Sequence, residues 1–515
     1  MEENNLKPRQ RARANYRQLA IRPAQLAKEY DAVVIGAGVG GLVCGAYLAK
    51  FGAKVLIVER HSIPGGLCTF FKRKGFYFDA GAHYFGSVGD SKSFGGLLLR
   101  SLALDVEFIP MDPVDILHFP DTTLELPRNI ESHIELLQEL FPQERENIRA
   151  FFQEMLRIYR HFYRGKQNSE VLARYQWRSY QEVLDHYFHD ARLKAVLSAT
   201  VGYIGVFPNQ VSVIAMAAMM MSYFYDGGYL ARGGSQALPD SLMRRFVAEG
   251  GELLLNTAVK QIVVNKNNQA TSIVLASGDE IRARVFISNA DAQQTFFRLI
   301  GEKQVDMKYL QSLKNYRESN SCFILYLGIA SGDEILRGKR GWYWDSYRMN
   351  DPSNIPLYIA IPTLEDRSLC PEGHHILTAT TIYNDPMLGT DGQWLADNRW
   401  IEYKQRCEQD TLLHLDRIVP EILKKVVIKE SAARPTIYRY TLNAHGSMYG
   451  WESSPDQFGL NRLPIRTPFE NLFLCGHWAS TGPGVISVIA CGFLVARKAL
   501  ELLQQQSSQI MSAAA

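Results

Sequence analysis

The clearest pattern in the chain is an apolar run at 32–35, then a glycine cluster, then a second apolar stretch at 42–51. Four unbroken apolar residues suit a strand buried on both faces. The alanine-rich stretch after the glycines suits a helix packed on a sheet. Residues 54–58 repeat the strand pattern and stop at Glu59. Farther on, apolar residues at helical spacing predict helices over 94–102, 129–140, 142–163, 179–188, 236–249, 397–419 and 485–503. Pro142 is acceptable in a first helical turn, Ser179 is placed to cap a helix, and Gly250-Gly251 ends another. Shorter runs predict strands over 75–81, 106–117, 124–126, 252–255, 259–265, 271–276, 284–288, 321–329, 355–361, 376–382 and 472–478, with a hairpin turn at Gly278-Asp279. Residues 229–235 read as a turn into the helix after them. The polar, small residues 504–515 read as a fraying end.

The stretch 195–230 is the most apolar outside the first glycine-rich unit. It holds Met216, Met219, Met220 and Met221 among Tyr203, Tyr223, Phe224 and Tyr225. Methionine and aromatic side chains adapt to irregular apolar guests, as in a substrate tunnel or a membrane-dipping helix. The same pattern also describes plain core packing of one buried helix. No stretch reaches the roughly 18 apolar residues of a membrane-spanning helix; 213–221 and 485–496 come nearest. A lipid-like substrate is therefore expected to be met from the membrane surface.

Charge narrows the partners. A net +3 over 515 residues argues against a nucleic-acid binder. The charge is uneven, because residues 1–30 carry seven basic and three acidic side chains, a net +4. That basic tail reads as a solvated extension or as a contact with an anionic membrane. It has no apolar segment of the kind a secretory signal needs. The cysteines number seven, with no C-x-x-C spacing. They are expected to be thiols in a reducing compartment, with no disulfide and no metal site, which places the protein on the cytoplasmic face of a membrane.

The chemistry is concentrated in the glycines. Gly36, Gly38 and Gly41 have the spacing G-x-G-x-x-G between the first strand and the first helix. Gly36 permits a tight turn, Gly38 lets a pyrophosphate approach the backbone, and Gly41 lets helix and strand pack closely. The helix N-terminus offers free N–H groups and a positive dipole end to the phosphates. Glu59, twenty-three residues after Gly36, can accept hydrogen bonds from both adenosine ribose hydroxyls and would repel a 2′-phosphate. FAD or NAD is favoured over NADP. Pro64-Gly65-Gly66 and 75–81 add glycine clusters that suit an extended cofactor with little room for side chains.

These features occur in the order Gly36–Gly41, Glu59, Pro64-Gly65-Gly66, Phe78-Asp79-Ala80-Gly81, Arg232-Gly233-Gly234 and Gly476…Pro483-Gly484. In that order the sequence resembles the FAD-dependent amine-oxidase-like flavoproteins. Within them it resembles the phytoene desaturase, carotenoid cis–trans isomerase and retinol saturase group, from about residue 30 to 503. Residues 438–450 and the Cys475-Gly476 strand are most similar to the isomerase and saturase branch. The resemblance implies an α/β fold: a Rossmann-type FAD-binding domain with a discontinuous, mixed-sheet and helical (α+β) substrate domain. The FAD-binding domain is expected over 31–110, 231–300 and 451–505, and the substrate or membrane-facing domain over 111–230 and 301–450. Residues 1–30 and 506–515 are left as tails.

The resemblance also implies contacts. Gly36, Ala37, Gly38, Val39, Gly40 and Gly41 would hold the pyrophosphate, with Glu59 and Arg60 at the adenosine ribose. Gly65, Gly66 and Leu67 would run beside the ribityl chain and ring, and Val259 would meet the adenine end. Gly476 and His477 would approach the pyrophosphate, His477 through its backbone. Gly484, Val485 and Ile486 would lie at the flavin pyrimidine edge, where a helix N-terminus stabilises the charge of reduced flavin. His83 and Tyr449 are the candidates to face the ring or the substrate, although His83 also reads as a hydrogen-bonded core histidine.

The implied activity is on C–C double bonds of a long apolar polyene, with cis–trans isomerisation first and desaturation or retinol-saturase-like reduction as alternatives. The electron donor or acceptor is left open. Two other classes are weighed: a flavin-retaining carotenoid or lipid carrier, and an amine or fatty acid oxidoreductase. A fatty acid enzyme needs a buried Arg or Lys for the carboxylate, which the sequence does not locate, and an amine oxidase an aromatic pair at the ring, for which Trp478 alone is insufficient.

Overall fold

The structure, a computed structural model, describes residues 15–164, 169–383 and 399–514. The predicted strand–turn–helix–strand unit is β1 (Glu29–Ile35), the helix Val39–Lys50 and β2 (Val55–Val58). The strands are parallel, with Ala32 beside Val55 and Ile35 beside Val58. The helix is buried from Val39 to Ala49, because it lies between the helix Ala237–Ala248 and the C-terminal helix Val485–Ala514. Burial on all sides explains why it is apolar all round rather than striped.

β3 (Glu252–Leu254), β4 (Val259–Val264), β5 (Ala270–Leu275), β6 (Glu280–Ser288) and β7 (Leu472–Leu474) complete a seven-stranded sheet. Its order is β3-β2-β1-β6-β5-β4, with β7 beside the end of β6. β1, β2, β3, β6 and β7 run parallel; β4 and β5 form an antiparallel extension. The chain leaves β1 toward β2 on one side and returns as β6 on the other. The carboxyl end of β1 is therefore a topological switch point, where ligands bind in open α/β sheets.

A second seven-stranded sheet runs Val426–Ala432, Ser321–Ala330, His374–Tyr383, Leu357–Ala360, Gly341–Tyr343, Asp115–Phe119, Thr122–Leu126. Its neighbours are antiparallel except Gly341–Tyr343 beside Asp115–Phe119. The strands Tyr84–Gly86, Gly228–Ala231 and Phe108–Pro110 form a small sheet of their own. The strands of the first large sheet fall within 31–110, 231–300 and 451–505, apart from Glu29 and Tyr30, and those of the second within 111–230 and 301–450.

Several expectations need correction. Residues 228–231 are a strand, not the start of a turn, because both edges pair with segments distant in sequence. The span 106–117 divides into two strands, Phe108–Pro110 and Asp115–Phe119, which join different sheets. The C-terminal residues do not fray at 504. The helix continues through Ala514, and Arg284 holds it by donating to the Leu503 carbonyl at 2.8 Å and Ser507 Oγ at 2.9 Å. The N-terminal extension is not free throughout. The Tyr16 hydroxyl donates to Asp240 at 2.8 Å, the Ile21 N–H donates to the Leu253 carbonyl, and Leu26 packs on the core. Residues 1–14, with Lys7, Arg9, Arg11 and Arg13, lie outside the described residues, as do 397–398 and 515. The helix expected over 397–419 is described as Arg399–Ile418.

Candidate active site

The switch point opens into a cavity of ≈ 460 Å³. One end is lined by Gly36, Gly38, Gly40, Glu59 and Thr257, and the other by residues of the second sheet, Trp342 and Tyr358. Gly36 turns the chain with φ +96°, and its N–H donates to the Val58 carbonyl at 2.8 Å. A Cβ on Gly41 would lie 2.2 Å from the Gly36 carbonyl oxygen, so this glycine serves the close packing of helix on strand. Gly41 and Ala37 are off the cavity wall; Val39, Gly40, Arg60, Gly65, Gly66, Leu67, Val259, Gly476, His477, Gly484, Val485 and Ile486 are on it.

Glu59 is 8% exposed. Its Oε2 accepts the Ala37 N–H and its Oε1 the His61 N–H, each at 2.8 Å. One lone pair on each oxygen is thus used by the backbone, which aims the others outward. The helix Arg434–Thr441 closes this end: Arg60 donates to the Arg439 carbonyl at 3.0 Å, and the His61 ring pairs with the Tyr440 carbonyl at 2.5 Å.

Asn289, immediately after β6, is a residue that the sequence pattern did not single out. Cβ atoms added to Gly38, Gly40 or Gly476 would each come within 2.8 Å of its amide, so the glycines make room around it. Its Oδ1 is buried without a partner. Its NH₂ donates to the Gly36 carbonyl at 3.5 Å, a long bond that leaves its second proton for an anion seated among these glycines. A side chain at the end of a buried strand, beside the glycine turn, is the signal that would have found it.

At the other glycine cluster, Gly484 has φ +94° and open space where a side chain would stand. The helix that follows begins at Val485, and Val485, Ile486, Ser487 and Val488 all line the cavity. Its first N–H groups and positive dipole end face the same space as Leu67 and His83. A buried carboxylate at the cavity edge, a side-chain-free cradle and a helix N-terminus along one wall fit an extended FAD.

His83 lines the cavity. Its Nδ1–H donates to the Gly81 carbonyl at 2.9 Å, leaving Nε2 as an acceptor, and its ring stacks on Tyr358 at 5.7 Å. Burial pushes its pKa down to about 4, so it is neutral at pH 7. His477 is pushed down to about 3 by burial and by the Arg462 charge. Burial raises the Tyr449 phenol well above its ordinary range. Tyr449 and His477 both lie on the wall. Arg462 holds their backbones together, donating to the His477 carbonyl at 2.8 Å and the Tyr449 carbonyl at 3.4 Å. Trp478 faces the cavity with Trp451 edge-on behind it at 4.7 Å.

The helix Val213–Phe224 resolves the two readings of its methionines. Ala215, Ala218, Met219 and Ser222, at helical spacing, face the cavity; Met216, Met220 and Met221 belong to the core. Behind Trp342 and Tyr358 lies a buried polar cluster that the sequence did not show. Asp115 is 1% exposed; its Oδ2 accepts the Tyr203 hydroxyl at 2.8 Å and the Trp342 indole N–H at 3.1 Å. Tyr203 and Tyr358 share a hydroxyl–hydroxyl contact at 3.0 Å. Burial pushes Asp115 up to about 6, against the opposing pull of Arg340.

The family model "Flavin containing amine oxidoreductase" matches residues 39–298. The chain is 28% identical over 519 residues to a chloroplastic prolycopene isomerase of Daucus carota, covering 95% of this chain and 83% of that protein. It is 24% identical over 542 residues to an all-trans-retinol 13,14-reductase of Danio rerio, covering 93% and 88%. In fold it is similar to a crystal structure of an oxidoreductase from Methanosarcina mazei, with a TM-score of 0.65 and 21% identity over 90% of this chain and 99% of that one. The matched span takes in half of the sequence, with Gly40, Gly41, Glu59, Gly65, Gly66 and Asn289, and the chain belongs to the family of flavin-containing amine oxidoreductases.

Proposed function

We propose that this protein acts on C–C double bonds of a long apolar polyene with FAD, and that its reaction is cis–trans isomerisation. The observation that carries the reading is the continuity of one cavity. The glycine cradle opens directly onto the apolar stripe of Val213–Phe224, so a polyene lying on Ala215, Ala218 and Met219 is at the flavin end of the same space. The relatives named for prolycopene isomerisation and retinol reduction support the polyene class.

Bound flavin supplies hydride exchange with carbon, which no side chain here provides. The chain's own residues position and exclude. The buried stripe keeps water from the polyene, and the Val485 helix end presents N–H groups to developing negative charge. His83 and Tyr449 face the same space, with His83 neutral and accepting at Nε2. A fatty acid substrate fits poorly: Arg60 is the only Lys or Arg on the described cavity wall, and it lies at the Glu59 end. A carrier role leaves the helix N-terminus without a purpose.

We further propose peripheral attachment to a membrane at its cytoplasmic face. Among the described residues no helix is long and apolar enough to cross a membrane. Trp177 and Leu460 are 67% and 46% exposed and flank Gln176, which receives the Leu460 N–H and donates to the carbonyl of the cavity residue Phe458. Such an apolar pair beside a cavity wall suits uptake of a lipid-like substrate from a bilayer.

The test is incubation of anaerobic, photoreduced holoprotein with a cis-polyene. Changed geometry at constant mass supports isomerisation. Gain or loss of two hydrogens would replace it with reduction or desaturation. No change in any polyene defeats the reading.

A further inference from the structure

The helix Arg434–Thr441 is anchored at one end and loose at the other. Ile437, in its middle, is buried with Ile324, Tyr326 and Ile428 of the second sheet. In its last turn Arg439 is exposed and Tyr440 is 57% exposed, yet Tyr440, Thr441 and Leu442 line the cavity with Glu59 and Thr257. The last carbonyls of a helix need partners from outside it. The next N–H groups of the chain do not supply them: the Asn443 N–H goes to Thr441 Oγ1 at 3.0 Å and the Ala444 N–H to Asp291 at 2.7 Å. The partners come instead from the two residues after Glu59. Arg60 donates to the Arg439 carbonyl at 3.0 Å, and His61 Nε2–H to the Tyr440 carbonyl at 2.5 Å. Both bonds lie at the surface. Leu442, which ends the helix, has φ +58°, a left-handed conformation that glycine usually fills at this position. In leucine it stores strain of a kind found at ligand clamps.

We infer that the last turn of this helix is a flap over the nucleotide end of the cavity, latched by Arg60 and His61, and that FAD enters and leaves when the latch opens. A nucleotide seated at Glu59 shares its end of the cavity with Tyr440, Thr441 and Leu442, so it must pass them. Two surface hydrogen bonds are all that tie their carbonyl side to the opposite rim, whereas β1 and the C-terminal helix are held by the core. Local opening draws on such weakly held, exposed turns. The bond from Ala444 to buried Asp291 fixes the chain just beyond the flap, and Leu442 is the residue about which it turns. Arg60 and His61 are positioning residues here: they act on FAD through the helix end. The latch is made without FAD and is kept with it. Weakening it therefore eases opening in both states and leaves the balance between them alone.

The test is the kinetics of FAD exchange in the full chain. Entry is followed by the loss of flavin fluorescence when deflavinated protein is mixed with FAD. Release is followed by the loss of radiolabelled FAD from loaded protein in excess unlabelled FAD. Arg60→Met keeps the apolar stem and removes the donor; His61→Phe keeps the ring and removes Nε2. Each is expected to raise entry and release together by about two- to tenfold, the size of one hydrogen bond, with the Kd for FAD within about twofold of wild type. Leu442→Gly relieves the strain of the closed flap and should act in the opposite sense, slowing both rates by about fivefold. That reversal is one that a general loosening of the fold does not produce, and it keeps the test open if a latch variant folds poorly. Faster release with an equal loss of affinity and unchanged entry would make Arg60 and His61 direct contacts of FAD and overturn the latch. Unchanged rates in both latch variants, or faster exchange in Leu442→Gly, would overturn it as well. No polyene enters these measurements, so the substrate reading stands or falls apart from them.

Discussion

Replacing Glu59 by glutamine preserves its size and removes its charge and one of its two acceptor oxygens. Both oxygens are in use: Oε2 takes the Ala37 N–H and Oε1 the His61 N–H, each at 2.8 Å, in a side chain 8% exposed. The lone pairs that remain are those available to a ribose diol. Glutamine has a single acceptor oxygen, so one backbone N–H must face an NH₂ group and one ribose hydroxyl loses its anionic partner. A hydrogen bond to a charged group is worth about 1.5–3 kcal/mol. Loss of one on the ribose side weakens FAD binding by about 10- to 150-fold, since about 1.4 kcal/mol is tenfold. Loss of the backbone bond lowers the thermal midpoint of the flavin-free protein as well. The assay is titration of FAD into deflavinated protein, following the loss of flavin fluorescence, with a melting curve in parallel. A Glu59→Gln protein with wild-type FAD affinity would refute the assignment of this carboxylate to the ribose.

Three further outcomes are expected. Gly484→Leu places a side chain in the open space at the helix end and forces a φ of +94° that costs about 1–3 kcal/mol outside glycine; purified protein should show little flavin absorbance, and a normal yellow spectrum would contradict it. Ala218→Phe fills the apolar stripe, so polyene turnover should fall by at least tenfold while flavin content stays normal; wild-type turnover at normal flavin content would count against the stripe. Burial holds His133 near pKa 4, with Nδ1 unpartnered and the ring edge-on to Phe224 at 4.5 Å. Its folded pKa lies below its unfolded value of 6.5. The stability this represents is therefore present above pH 6.5 and lost as pH falls toward 4, by about 3 kcal/mol. His133→Leu should flatten the fall in thermal midpoint across that window, and an unchanged slope would refute the attribution.

Local signals made the first half of the site legible. Gly36, Gly38, Gly41 and Glu59 lie within one β–helix–β unit, where spacing alone fixes geometry. Caps were equally local: Ser179 accepts the Glu182 N–H, and Asn129 accepts those of Glu131 and Ser132. What the sequence hid depends on distant partners. Asp115, Tyr203 and Tyr358 come from three segments far apart, and none belongs to a recognisable motif. Asn289 is placed at the glycine turn only because β6 lies beside β1. The strand Gly228–Ala231 exists because Tyr84–Gly86 and Phe108–Pro110 flank it. The stripe of Val213–Phe224 was ambiguous because a helix buried on one face and lining a cavity on the other is apolar on both.

The most direct measurement is a crystal structure of the FAD-loaded protein. The account predicts a dinucleotide stretched from Glu59 past Asn289 and Gly38, with the isoalloxazine pyrimidine edge at the N–H groups of Val485 and Ile486 and its ring open to His83. A ring lodged elsewhere, or a C-terminal helix whose amino end meets no flavin atom, would contradict it.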